Sequence, residues 1–307
     1  MKRKLIKQGL GGYTITLPID WIREFNLRDG EEVELNPNEE GILISAKLNK
    51  REKSVTLDFS KIDDPRMLTN LLNQAYRLGY DVITIKYTSE VQLREINSIT
   101  SRQLLGFEVV KSDSKFCVLQ NIAEPDPEKF EVMLRKFFLI CKEMSQLLSE
   151  VSSKNMVLLE DYKLQNDRLA NYLRRTLIRS KIMGDSSNLL YLIVSYIAYV
   201  NHSFYSLLKY SNQKKVSATV KNLSLQLKKY YEDYYSAFYS KDLTELSRLG
   251  KERVKFDDKV NLWLEKSKGP DNVACAHLKE ASRMIQICLP PTIGLVIKSM
   301  EMLDNSS

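Results

Sequence analysis

The chain has 307 residues, with 46 Lys and Arg against 39 Asp and Glu for a formal net charge of +7, and 43% hydrophobic and 28% charged residues. That length exceeds what one hydrophobic core usually organises, and the composition excludes a collagenous, disulfide-framework or mainly disordered chain. Four widely spaced cysteines and two histidines leave little material for zinc knuckles, histidine-rich metal sites or histidine-based triads, so a reducing, cytoplasmic setting and a non-enzymatic role are expected.

From Met1 the pattern is β, with no charged leader followed by an apolar run, so no secretory signal is expected. Two apolar runs flank the Gly9, Gly11 and Gly12 cluster, and Tyr13 to Leu17 alternates before Pro18 stops it, which predicts a hairpin closed by a glycine turn. These glycines are turn residues, since no Lys-Ser or Lys-Thr pair follows to make a phosphate loop. Asp20 is placed to cap a short helical turn carrying Trp21, Ile22 and Phe25. Leu27 to Gly30 then turns into a second hairpin, whose strands are Glu31 to Asn36 and Gly41 to Ala46, with Asn36-Pro37-Asn38, Glu39 and Glu40 as the connection. A domain of residues 1–48 built this way has too little core to stand alone, and pairing with a second copy is expected.

Residues 50–122 read as a small α/β domain in the order β-α-β-α-β-β. Ser54 to Phe59 is a strand, Pro65 opens a helix that Gly79 closes, and Asp81 to Tyr87 is the next strand. A helix from Ser89 to about Leu105 precedes two strands joined through Asp113-Ser114. No dinucleotide or Walker glycine pattern is present, so no nucleotide is assigned and the domain reads as a connector.

From Pro125 to the end the periodicity is helical. Helices are expected to about Val151, from Asn155 to Met183, and from Ser187 to about Tyr210, then from Val216 to Tyr239, Asp242 to Lys266, and Pro270 to Leu303 with an interruption at Pro290-Pro291. Residues 125–307 thus form an all-α bundle of two three-helix halves, and Asn166-Asp167-Arg168 against Asp257-Asp258-Lys259 suggests an internal repeat. The apolar run Leu189 to Val200 is too short to span a bilayer and reads as a buried helix. Arg168, Arg175 and Arg179 read as a solvated helix face pairing with Glu160 or Asp161, and Tyr230 to Tyr239 as a core row with its hydroxyls at the rim. His202 and His277 read as structural.

The string Lys7, Gly9, Tyr13, Ile15, Thr16, Leu17, Pro18, Trp21, Ile22, followed by Leu27, Gly30, Glu31 and Val33, resembles the SpoVT/AbrB/MazE swapped-hairpin family over about the first 47 residues. The remainder is similar to PhoU-like regulators through Leu78 to Ile85, Leu104 to Val110 and the long helical tail. The first resemblance implies a homodimer of interleaved hairpins presenting basic side chains to double-stranded DNA, carried here by Arg3, Lys4, Lys7 and Arg23. Ile19 stands where many relatives have a lysine. Residues 1–50 hold eight basic and eight acidic side chains, the basic ones clustered before Gly9 and the acidic ones after Asp29, so a dipolar module is expected.

The PhoU resemblance implies acidic i, i+4 pairs on the middle helices for a metal. Here Lys163 precedes Asp167 and Val254 precedes Asp258 at that spacing, so no metal or other cofactor is predicted, and these two aspartates mark where a metal would sit. The two resemblances together imply a transcriptional regulator tied to phosphate homeostasis. An alternative is a signalling adaptor whose bundle docks on a phosphate transporter ATPase or a sensor, with the hairpins used only to dimerise.

Overall fold

The computed structural model describes residues 2–9, 11–38, 41–46, 52–62, 64–124, 126–149, 156–180, 184 and 186–304. It is mixed α+β, with small sheets followed by a C-terminal helical region, and it divides into two compact units, Met1–Lys53 and Ser54–Ser307.

The described residues of the first unit form two antiparallel hairpins and one short helix. Strands β1 (Ile6–Gln8) and β2 (Gly12–Thr14) pair with Lys7 opposite Tyr13. Gly9, at φ +59°, takes the left-handed conformation that lets the chain reverse. The second strand is shorter than the alternation suggests, since Ile15 to Leu17 run on without a ladder. Helix α1 (Ile19–Glu24) is capped by Pro18 with no side-chain hydrogen bond, so Asp20 is not its cap. Pro18 fixes the extended entry, which starts the helix one residue ahead of Asp20 and leaves that carboxylate in the first turn, where it suits the helix dipole. Strands β3 (Val33–Asn38) and β4 (Gly41–Ala46) form the second hairpin. Asn36-Pro37-Asn38 belongs to the ladder rather than the turn, with Pro37 opposite Ile42 and Asn38 opposite Gly41. A two-stranded ribbon has an edge on each side, where a proline costs no ladder bond. Glu39 and Glu40, expected in this connection, lie outside the described residues.

The second unit opens with a four-stranded sheet of order β5-β6-β8-β7: β5 (Ser54–Asp58), β6 (Val82–Lys86), β7 (Phe107–Ser112) and β8 (Phe116–Asn121). β5 and β6 run parallel across helix α2 (Pro65–Arg77), and β8 is antiparallel to both of its neighbours. Local chemistry accounts for the helix ends. The Asp64 carboxylate accepts from the Arg66 amide ahead of Pro65, Gly79 turns the chain at φ +83°, and Ser89 Oγ accepts from the Gln92 amide to start α3 (Glu90–Gln103). Leu68, Leu72, Tyr76, Ile83, Ile85, Ile96 and Leu119 close the core of this layer.

The helical region follows. A single 3₁₀ turn (Pro127–Lys129) leads into α4 (Phe130–Gln146), then come α5 (Met156–Ser180), α6 (Ser186–Gln213), α7 (Ala218–Ser240), α8 (Leu243–Leu264), α9 (Pro270–Ile287) and α10 (Leu289–Asp304). The expected helix start at Pro125 and the expected boundaries between Val151 and Asn155 and at Met183 fall outside the described residues. The apolar run Leu189 to Val200 lies within α6, which packs against α4, α5, α9 and α10 and buries Ile193, Val194, Ile197 and Val200. Among the described residues no helix is long and apolar enough to cross a membrane. Pro290 and Pro291 sit in the first turn of α10, where the amides they lack have no helical partner, so the interruption is a break between two helices.

The tyrosine row of α7 is core, but its hydroxyls do not all reach the rim. Tyr231 donates to the Phe138 carbonyl at 3.0 Å and Tyr234 meets Thr292 Oγ1 at 3.0 Å, both inside the bundle. A hydrogen-bonded phenol can be buried outright, which the helical period alone does not reveal.

Candidate nucleic-acid interface

In the first unit Arg3 and Lys4 lead into β1, Lys7 is its middle residue, and Arg23 sits in the last turn of α1. All four are exposed. None forms an ion pair with a carboxylate among the described residues. The register puts Lys7 and Tyr13 on one face of the first hairpin and Ile6, Gln8 and Thr14 on the other. A cation beside an aromatic ring with no competing carboxylate can neutralise a phosphate while the ring packs against a sugar or base.

The second hairpin has different chemistry. Its register sets Val33 and Leu35 on the same face as Ile42 and Ile44, and Leu35 and Ile42 are 59% and 64% exposed. Leu5, Ile6, Tyr13 and Ile15 are also exposed, and of the side chains described in this unit, which leave out those of residues 34, 36–38, 43, 45 and 46, none is buried.

The second unit places the other candidates. Asp167 on α5 accepts from Lys163 Nζ at 3.0 Å and meets His202 Nε2 at 2.6 Å. Burial pushes its carboxyl up, but the His202 hydrogen bond and charge, with Lys163, outweigh burial and hold it below the ordinary carboxylate range. His202 is thus a partner of Asp167 from 35 residues away, which linear spacing cannot show. Asp258 is exposed, whereas its neighbour Asp257 pairs with Arg253 at 2.7 Å and accepts from Ser282 Oγ at 2.9 Å. Each middle helix therefore carries a cation four residues before an aspartate that is also bonded by the helix following it. In both places a basic side chain occupies the position a second carboxylate would need to hold a cation. Among the described residues no group of three or more His, Cys, Asp or Glu is arranged for a metal.

The arginines of α5 do not form a solvated face. Arg168 is exposed, but Arg175 has a fully buried side chain and Arg179 is nearly so. Arg175 Nη1 donates to the Tyr76 and Tyr80 carbonyls at 2.9 and 2.8 Å, and its Nη2 reaches Asp81 at 3.2 Å. Its guanidinium lies 5.0 Å from the centres of both the Tyr76 and Phe107 rings. Arg179 donates to the Gly79 carbonyl and to Asp81, each at 2.7 Å, and pairs with Glu124 at 2.6 Å. The two arginines thus cap the end of α2, where unpaired carbonyls favour cations, and fasten the sheet layer to the helices. A Cβ on Gly79 would stand 2.8 Å from Arg179 Cγ, so glycine serves both the turn and this contact. Glu160, which the sequence pairs with these arginines, instead accepts from the Tyr205 hydroxyl, and Asp161 accepts from Gln165.

The four cysteines are free and buried. Burial pushes the Cys117 and Cys275 thiols up to about 11 and the Cys141 thiol up to about 12, which disfavours the thiolate needed for nucleophilic chemistry.

No protein-family model, curated protein or solved structure matches this chain.

Proposed function

We propose that the chain is a dimeric DNA-binding transcriptional regulator linked to phosphate homeostasis. In this reading residues 1–48 are an AbrB-like module of interleaved hairpins, and the helical region is a PhoU-like modulator of two three-helix halves. The observation that carries the reading is the first unit's combination of exposed apolar side chains on a hairpin face with exposed basic side chains that have no carboxylate partner among the described residues. Exposed apolar side chains with nothing buried beneath them mark a fold completed by another surface, and a second copy supplies the same apolar face in the geometry a two-fold axis requires. Two copies bring two sets of Arg3, Lys4, Lys7 and Arg23 to one duplex. The matching arrangement at Asp167 and Asp257, each with a cation four residues earlier and a partner on the next helix, supports the two-half reading of the bundle.

Gel shifts on fragments of the organism's own genome, with random competitor at moderate salt, test the regulator claim. At least one fragment is expected to bind more tightly than competitor. Uniform binding of all fragments contradicts specific regulation.

A further inference from the structure

The strongest unassigned feature lies where α2, α5 and α6 meet. Arg77, the last residue of α2, donates through Nε to Asn171 Oδ1 of α5 at 2.8 Å. Asn171 is fixed in turn, donating to Asn73 Oδ1 at 3.0 Å and to the Gln103 carbonyl at 3.2 Å. Arg174 lies one turn further along α5, is only 6% exposed, and uses Nε alone, on Ser195 Oγ of α6 at 3.1 Å. Its guanidinium is 6.0 Å from the centre of the Tyr191 ring. Neither arginine forms an ion pair, and the Nη groups of both make no hydrogen bond among the described residues.

Such an arrangement is costly as it stands. A guanidinium carries five donors and is expensive to bury without a counter-charge. Burial first and the Arg77 charge second depress Arg174 to about 10, and the fields of Tyr191, Tyr199 and Asp167 offset this only in part. Asp167, the carboxylate whose field both arginines feel, is already engaged by Lys163 and His202 and bonds to neither arginine. With the Lys163–Asp167 pair internally balanced, two positive charges on separate elements remain uncompensated.

We propose that the Nη groups of Arg77 and Arg174 together bind a small tetrahedral oxyanion of the phosphate class. Planar guanidinium forks match the edges of such an anion, and two of them match its double charge. A buried Arg174 is within reach of a small anion and out of reach of a duplex backbone, so the ligand is a free anion or a small phosphomonoester. Because Arg77 belongs to α2 and Arg174 to α5, a bound anion would bridge the sheet layer and the helices. This site goes beyond the DNA-binding reading and is independent of it.

The test uses the full chain and inorganic phosphate, with chloride at matched ionic strength as the reference. Calorimetric titration is expected to give saturable binding, and phosphate to raise the melting temperature. Arg174→Gln and Arg77→Gln are each expected to weaken binding at least tenfold and to abolish the phosphate-dependent rise. Arg168→Gln, on an exposed position of the same helix, is expected to leave both unchanged. Because Arg174→Gln removes an unpaired buried charge, its melting temperature without phosphate should match or exceed that of the parent chain. A drop in that temperature, with the phosphate response retained in Arg77→Gln, would make Arg174 a strut for Ser195 and overturn the proposal. Absence of saturable phosphate binding to the parent chain would also overturn it, and neither result bears on DNA affinity.

Discussion

Residues 54–307 bury two hydrophobic clusters and tie the sheet layer to the helices with a buried arginine, whereas the side chains described in the first unit include none that is buried and several apolar ones exposed on both hairpins. The larger unit closes hydrophobic cores of its own. The described residues of the smaller one have the hydrogen bonds of two hairpins and a ring contact of Trp21 against Phe25 at 5.4 Å. Two-stranded ribbons are marginal in water, so the smaller unit's stability should depend on protein concentration and the larger unit's should not.

That contrast can be broken from either side. The largest effect is expected at Arg175→Ala, which removes one of the two arginines on Asp81 and the side-chain donor to the carbonyls of Tyr76 and Tyr80 inside the larger unit. Removing one member of a buried ion pair costs about 3–5 kcal/mol, and denaturant unfolding followed by circular dichroism would report it as a lower midpoint. A loss under about 1 kcal/mol would mean that Arg179 alone holds the layer.

A smaller effect, confined to the other unit, is expected from Ile42→Asp on the apolar hairpin face. Analytical ultracentrifugation should show self-association weakened by at least about tenfold, equivalent to about 1.4 kcal/mol, with the larger unit's melting unchanged. Unaltered self-association would place the dimer contact elsewhere.

The smallest effect is expected at Asp167→Asn. The folded-state pKa of Asp167 is depressed, so its contribution is present at neutral pH, above the unfolded value, and is lost as pH falls through the folded value. The variant should therefore be less stable than the parent by about 1 kcal/mol near neutrality, and the gap should close below about pH 4. A gap that persists into acid would show that packing at this position, not charge, sets its contribution.

The sequence showed some of this contrast and hid the rest. Elements punctuated locally were readable: Pro65 and Gly79 bracket α2, Ser89 starts α3, and Pro290-Pro291 divides α9 from α10. Each signal acts on its own few residues. Pro37 carried a turn signal but sits in a strand, because a ribbon edge tolerates it. The arginines of α5 were misread because their partners lie about a hundred residues away, at Tyr76 to Asp81, and helical spacing gives no sign of a distant carbonyl cluster. Arg3, Lys4, Lys7 and Arg23 are proposed as DNA contacts only through the pattern of glycines, proline and tryptophan around them. Arg77 and Arg174 could not be paired from sequence, since the link between them is Asn171 and the tertiary contact of α2 with α5.

The central claim is that the exposed basic residues of the first unit bind DNA. Fluorescence anisotropy across a salt series, on promoter and random duplexes, compares the parent chain with the Arg3→Ala, Lys4→Ala, Lys7→Ala triple variant most directly. The account predicts a preference for promoter DNA and a steep salt dependence whose slope falls in the triple variant, as each lost phosphate contact removes counterion release. No binding by the parent chain at low salt, or an unchanged slope in the triple variant, would contradict it.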